Sequence, residues 1–125
     1  MSSPPAPLRT AATPRLTLTM SVVGFRAVLG ARGAIDFATV DVLHSAMQTI
    51  LQSGERDVWV DLTGATFIDG AGLQALLELR GALERDHRRV IIIAPPGPAL
   101  QALQLAALDT AFEVYDARSS AHLAS

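Results

Sequence analysis

The chain has 125 residues, a formal net charge of -2, 50% hydrophobic and 18% charged residues, and no cysteine. That length suits one domain able to bury about two-thirds of its unfolded surface. The missing cysteines exclude disulfides, Cys-ligated zinc and a thiol nucleophile, and the slightly acidic balance argues against nucleic acid as a partner.

Residues 1–14 hold Pro4, Pro5, Pro7 and Pro14 among small and polar residues. They carry too little apolar surface to fold and read as a disordered tail. From Leu16 the pattern has a period of two, with Leu16, Leu18, Met20 and Val22 alternating with Thr17, Thr19 and Ser21. This is a half-exposed strand. Gly24 can turn it, and Phe25 to Ala31 reads as the second arm of a hairpin. Gly30 to Asp36 then leads into a helix for which Asp36 is the expected N-cap. That helix places Val40, Leu43, Met47, Ile50 and Leu51 on one side and ends at Ser53-Gly54. His44, beside the stripe, reads as a boundary residue because no second histidine stands at ligand spacing.

The most informative stretch is Val58 to Leu73. Val58-Trp59-Val60 is rich in β-formers and leads to Asp61, where the strand is expected to finish. Gly64 signals a turn, and Thr63 and Thr66 fall in the strand-to-helix connection. Asp69-Gly70-Ala71-Gly72 opens a helix, with Asp69 able to cap it. A helix N-terminus at the end of a strand presents free N–H donors that favour an anion. The helix after Gly72 is expected to bury Leu73, Leu76, Leu77 and Leu83. The run Arg85-Asp86-His87-Arg88-Arg89 reads as its solvated end. Val90 to Ala94 is a continuous β-branched strand. Pro98 fits the first position of a third helix with Leu100, Leu103 and Ala107 as its stripe. Phe112 to Tyr115 is a last short strand, and residues 119–125 read as a frayed C-terminus. Strands alternating with helices after an initial hairpin imply an α/β layered domain with a mixed sheet.

No apolar run approaches the ~20 residues of a membrane span. The N-terminus lacks a signal-peptide core, so a cytoplasmic protein with no membrane partner is expected. The carboxylates Asp36, Asp61 and Asp69 could hold magnesium in principle. They read instead as two caps and a strand end, because no phosphate loop, Ser-His pair or paired histidine accompanies them. Neither a metal nor a cofactor is expected, nor an enzyme.

The run V-D-L-T-G-A-x-F-I-D-G-A-G-L resembles the signature of the STAS domain of bacterial anti-sigma factor antagonists, typically D-L-S-x-V-x-F-I-D-S-S-G-L. Gly30 to Asp36 is similar to the family's G-x-L-D element. P-A-L-x-x-L-x-L-A-A-L-D, from Pro98, resembles its P-x-V-x-x-L-x-L-x-G-L-D, with Ala107 where a glycine is usual. The resemblance covers about Leu16 to Tyr115 and implies a STAS domain over residues 15–118. In the family the residue after the aspartate is a serine or threonine phosphorylated by the partner anti-sigma factor, a GHKL-type serine kinase. Here it is Gly70, so the phospho-acceptor position has no hydroxyl. The resemblance implies partner binding through Asp36, Thr39, Asp69, Gly70, Ala71, Gly72 and Gln74. The alternative is a non-phosphorylatable sensor or scaffold module that binds a nucleotide or supports a transporter or regulatory complex.

Overall fold

The computed structural model describes residues 9–115. Among the described residues six strands form one sheet: β1 (Arg9–Ala12), β2 (Leu16–Val23), β3 (Arg26–Ile35), β4 (Asp57–Ile68), β5 (Arg89–Ile93) and β6 (Glu113–Tyr115). Three helices connect the later strands: α1 (Val40–Ser53), α2 (Gly70–Arg85) and α3 (Pro98–Leu105). The strands lie in sequence order, β1-β2-β3 antiparallel and β3-β4-β5-β6 parallel. The mixed α/β sheet with an opening hairpin is therefore as the alternation implied.

Alternation decides which side each strand residue buries. Leu16, Leu18, Ala27, Leu29, Val58, Val60, Val90 and Ile92 point to one face and join Leu43, Met47, Ile50, Leu76, Leu79, Leu83 and Leu103 of the helices in a single core. Each large aliphatic side chain so buried contributes about 1.5–3 kcal/mol. The opposite face carries a smaller cluster of Trp59, Ile91 and Ile93, with Val28 and Tyr115 packed against it.

The parallel crossovers put the N-termini of all three helices at one pole, beyond the C-terminal ends of β3, β4 and β5. That pole holds Asp36, Asp69 and Pro98. The other pole holds the β2–β3 turn and the helix C-termini.

Several expectations are corrected. Residues 9–12, assigned to the tail, form a strand held by pairing with β2, Thr10 opposite Thr19. This strand has no apolar pattern to betray it, and its ladder with β2 defines it. Residues 1–8 and 116–125, which include the rest of the expected tail and the frayed C-terminus, lie outside the described residues. β3 continues beyond Ala31 to Ile35 through register shifts and a left-handed Gly33 (φ 109°). β4 does not break at Gly64. That glycine lets β4 pass close to β3, since a Cβ there would sit 3.1 Å from the Ala31 carbonyl oxygen. Asp61, Thr63 and Thr66 are accordingly within a strand, not at its end or in a connection.

The helices differ in detail too, although α2 starts at Gly70 with Asp69 as its N-cap, as the Asp69-Gly70-Ala71-Gly72 opening implied. Leu79 is fully buried, whereas Leu73 and Leu77 only pack partly against the core. In α3, Ala99 and Leu103 are the buried residues, and Leu105 is exposed. Arg88 is not in a solvated end: it is 7% exposed and its guanidinium donates to the carbonyls of Ile50 (3.1 Å), Leu51 (2.9 Å) and Glu55 (2.6 Å). It thereby places a charged donor on two C-terminal carbonyls of α1, Ile50 and Leu51, at the negative dipole end, and on the Glu55 carbonyl just beyond the helix. α1 stops at Gly54 in the left-handed conformation, as the Ser53-Gly54 pair implied.

Candidate functional site

Asp69 is the pivot of the helix-N-terminal pole. Its Oδ1 accepts from the N–H groups of Ala71 (2.9 Å) and Gly72 (3.1 Å), the side-chain cap expected from the sequence. Its Oδ2 accepts from the N–H of Phe37 at 3.1 Å. The Asp69 N–H donates to the Ile35 carbonyl at 3.1 Å. One residue thus closes the start of α2 and ties it to the turn between β3 and α1. It also takes up amides that would otherwise greet an anion, so the free-donor site read from the sequence is filled by the protein's own carboxylate.

The turn Asp36-Phe37-Ala38-Thr39 is itself closely bonded. Asp36 does not cap α1 directly; the helix begins at Val40, with Thr39 in the N-cap position. Asp36 Oδ1 instead accepts from the N–H groups of Ala38 (2.9 Å) and Thr39 (3.1 Å), and its carbonyl from that of Val40 (2.8 Å). Thr39 Oγ1 accepts from the Asp36 N–H (2.9 Å) and donates to the Ala34 carbonyl (2.8 Å). Arg15 donates to Asp36 Oδ2, completing an ion pair. Burial pushes the Asp36 carboxyl up, but hydrogen bonds from Arg15, Ala38 and Thr39 and the Arg15 charge outweigh it, so its pKa lies below the ordinary value.

The residues expected to meet a partner divide by exposure. Gly70 and Gln74 are exposed, and Asp69 and Ala71 are half-buried. Asp36, Thr39 and Gly72 are buried, Thr39 at 2% exposure, so they shape this surface from beneath. The two glycines have different reasons to be there. A Cβ on Gly72 would lie 2.7 Å from both Ile35 Cγ2 and Ile68 Cγ1. A Cβ on Gly70 would meet nothing within 4 Å, and Gly70 is not among the positive-φ glycines. Backbone geometry therefore does not demand a glycine at position 70.

The sequence reading missed Phe37. It is 84% exposed, on a turn fixed by the bonds just described and adjacent to the start of α2. A large aromatic in the short stretch from Asp36 to Thr39, outside any apolar period, was its signal. Phe67, two residues before Asp69, is also half-exposed. Thr63 and Thr66 are exposed on β4, and the Thr63 hydroxyl donates to Asp61 Oδ1. His44 bridges α1 to α2 through Glu78, with Nε2 3.3 Å from Oε1. Among the described residues no cluster of His, Cys, Asp or Glu is placed to hold a metal ion, and no helix is long and apolar enough to cross a membrane.

Residues 12–115 match the family model described as "Mlab, STAS domain". The fold is shared with three solved structures. The crystal structure of an anti-sigma factor antagonist from Mycobacterium paratuberculosis has a TM-score of 0.80 and 21% identity, over 91% of this chain and 97% of that one. The anti-sigma factor antagonist SpoIIAA in its unphosphorylated form has a TM-score of 0.66 and 18% identity, over 85% of this chain and 94% of that one. The phosphorylated form of SpoIIAA, a Bacillus cell fate determinant, has a TM-score of 0.64 and 16% identity, over 86% and 99%. Comparison with curated proteins gives no match.

Proposed function

Because the chain belongs to the STAS domain family, we propose that it is an anti-sigma factor antagonist-like interaction module, acting by binding and not by catalysis. Its partner is an anti-sigma factor of the GHKL-type serine kinase class, met in the cytoplasm, whose capture releases a sigma factor. The docking surface is Gly70, Ala71 and Gln74 at the start of α2, with Asp69, Asp36, Thr39 and Gly72 holding it in shape. The observation that carries this reading is the Phe37 N–H to Asp69 Oδ2 bond of 3.1 Å, which joins two separate family-like motifs in one exposed face. The resemblance sets Gly70 at the phospho-acceptor position, so the module stays in its binding-competent state.

A charged residue at position 70 tests the location. Gly70→Glu puts a carboxylate at the first position of α2, where the dipole tolerates it and the space is open, so the fold is kept. With an anti-sigma kinase from the same genome as probe, the reading predicts at least about tenfold weaker binding for this variant, or about 1.4 kcal/mol. Unchanged affinity would place the contact elsewhere.

The missing hydroxyl also motivates the second reading, a sensor or scaffold module within a transporter or regulatory complex. A nucleotide phosphate at the start of α2 would have to displace Asp69 from the Ala71 and Gly72 amides. The scaffold version is therefore the stronger form of that alternative.

A further inference from the structure

Arg15 stands on the turn between β1 and β2, outside the three family-like motifs, yet its Nη2 donates to Oδ2 of Asp36, 21 positions later. Two devices bring them together. Thr13 fixes the turn. Its Oγ1 accepts from the N–H groups of Arg15 (3.1 Å) and Leu16 (3.0 Å), and its own N–H donates to the Leu16 carbonyl (2.7 Å). Gly33 then lets the turn lie against β3, since a Cβ there would sit 2.1 Å from the Arg15 carbonyl oxygen. That oxygen accepts from the Ala34 N–H at 3.0 Å, where β3 shifts register on its way to Asp36.

Beyond Asp36 the bonds run on without a gap. Asp36 is 8% exposed, so its carboxylate needs a compensating charge, and Arg15 supplies it. Oδ1 is committed to the Ala38 and Thr39 amides, and the Thr39 hydroxyl donates to the Ala34 carbonyl. The turn so shaped aims the Phe37 N–H at Asp69 Oδ2, and Asp69 Oδ1 holds the Ala71 and Gly72 amides at the start of α2. Without the guanidinium, Oδ2 is left to water, and hydrating a buried carboxylate loosens the turn built on it.

On the docking reading, we infer that Arg15 is a positioning residue. Acting through Asp36, it holds the 36–39 turn and the start of α2 in the shape that the partner meets. The ion pair uses one guanidinium nitrogen, so lysine, a point charge, can replace arginine here as it could not at a forked site. The Arg15 side chain is 56% exposed, so direct contact with the partner is the competing explanation that the experiment separates.

Amide hydrogen exchange of the full chain, read by NMR, is combined with binding to an anti-sigma kinase from the same genome. Arg15→Met should speed exchange at Phe37, Ala38 and Thr39 while leaving Leu79 and Leu83, buried in α2, unchanged. It should also weaken the complex about tenfold, as loss of a charge-assisted bond implies. Arg15→Lys should restore both properties. Arg85→Met, at the other end of α2, should alter neither. Asp36→Asn should weaken the complex by a similar factor. Arg15→Met combined with Asp36→Asn should bind no worse than Asp36→Asn alone, because both act through one bond. Additive losses in the double variant would mean that Arg15 touches the partner, and would overturn the positioning role. Unchanged exchange in the 36–39 turn, or parent-like binding by Arg15→Met, would overturn it with the docking reading intact. A parent chain that forms no complex would sink the docking reading and, with it, the role that rests on it.

Discussion

Two glycines two residues apart carry opposite constraints. At Gly72 any side chain meets the branched ends of Ile35 and Ile68, buried residues with stiff rotamers. Gly72→Ala should cost about 1–3 kcal/mol in chemical denaturation through overpacking. Gly70→Ser should change stability by less than about 0.5 kcal/mol, because the site is open and serine is no worse than glycine in a helix. A second residue-scale prediction concerns Ala107, which has φ 58° and ends α3. The Leu108 N–H bonds to the Leu103 carbonyl and that of Ala107 to Gln104, the 6→1 and 5→2 pair that wants glycine at the left-handed position. Ala107→Gly should raise stability by about 0.5–1 kcal/mol. The sequence carried this signal, since alanine stands where the resembling motif has glycine. His87 ends α2 in the same way, with φ 56°. Asp36 gives a pH dependence. Its pKa is depressed in the folded protein, so its contribution is whole above the ordinary value of 3.8 and is lost as pH falls through the lower folded value. Acid unfolding of Asp36→Asn should therefore show a shallower stability loss below that pH than the parent chain.

At the scale of elements, the order and type of most helices and strands were legible because their apolar periods are strong. β5 is a continuous β-branched run, α3 begins at a recognisable Pro signal and α1 ends at a recognisable Gly signal. What escaped was set by long-range pairing. β1 is polar and short, and only its register with β2 makes it a strand. Gly64 reads as a turn in isolation, whereas β3 on its flank keeps β4 extended. Asp69 was legible as a capping residue, whereas Asp36 bonds within its own turn and not to α1 as an N-cap, and the bond between the two turns was not legible, since no local pattern encodes contact across 32 positions. Arg88 was hidden within a charge run and acts as a buried clasp between the connection just before β5 and the end of α1. Arg88→Met should lower stability by about 2–4 kcal/mol, because three carbonyls lose a charged donor in a shielded place. Thermal unfolding monitored by circular dichroism would measure it. A loss as small as that of Arg85→Met, at an exposed position, would refute the clasp.

The molecule as a whole separates its tasks by position. One sheet face and three helices build the core, and the helix N-termini gather at one pole. That pole offers Phe37, Gly70 and Gln74 on a scaffold whose polar groups are bonded to each other, with little left to reorganise on binding. The fold relatives include an antagonist in both unphosphorylated and phosphorylated forms, and the proposed reading sets Gly70, which has no hydroxyl, at the switch position. The central claim is binding without that switch. The most direct measurement incubates the protein with ATP and an anti-sigma kinase from the same genome, then reads complex formation and intact mass together. The account predicts a stable complex and an unchanged mass, with Gly70→Ser gaining one phosphate. A phosphate on the parent chain, or no complex with any such kinase, would contradict it.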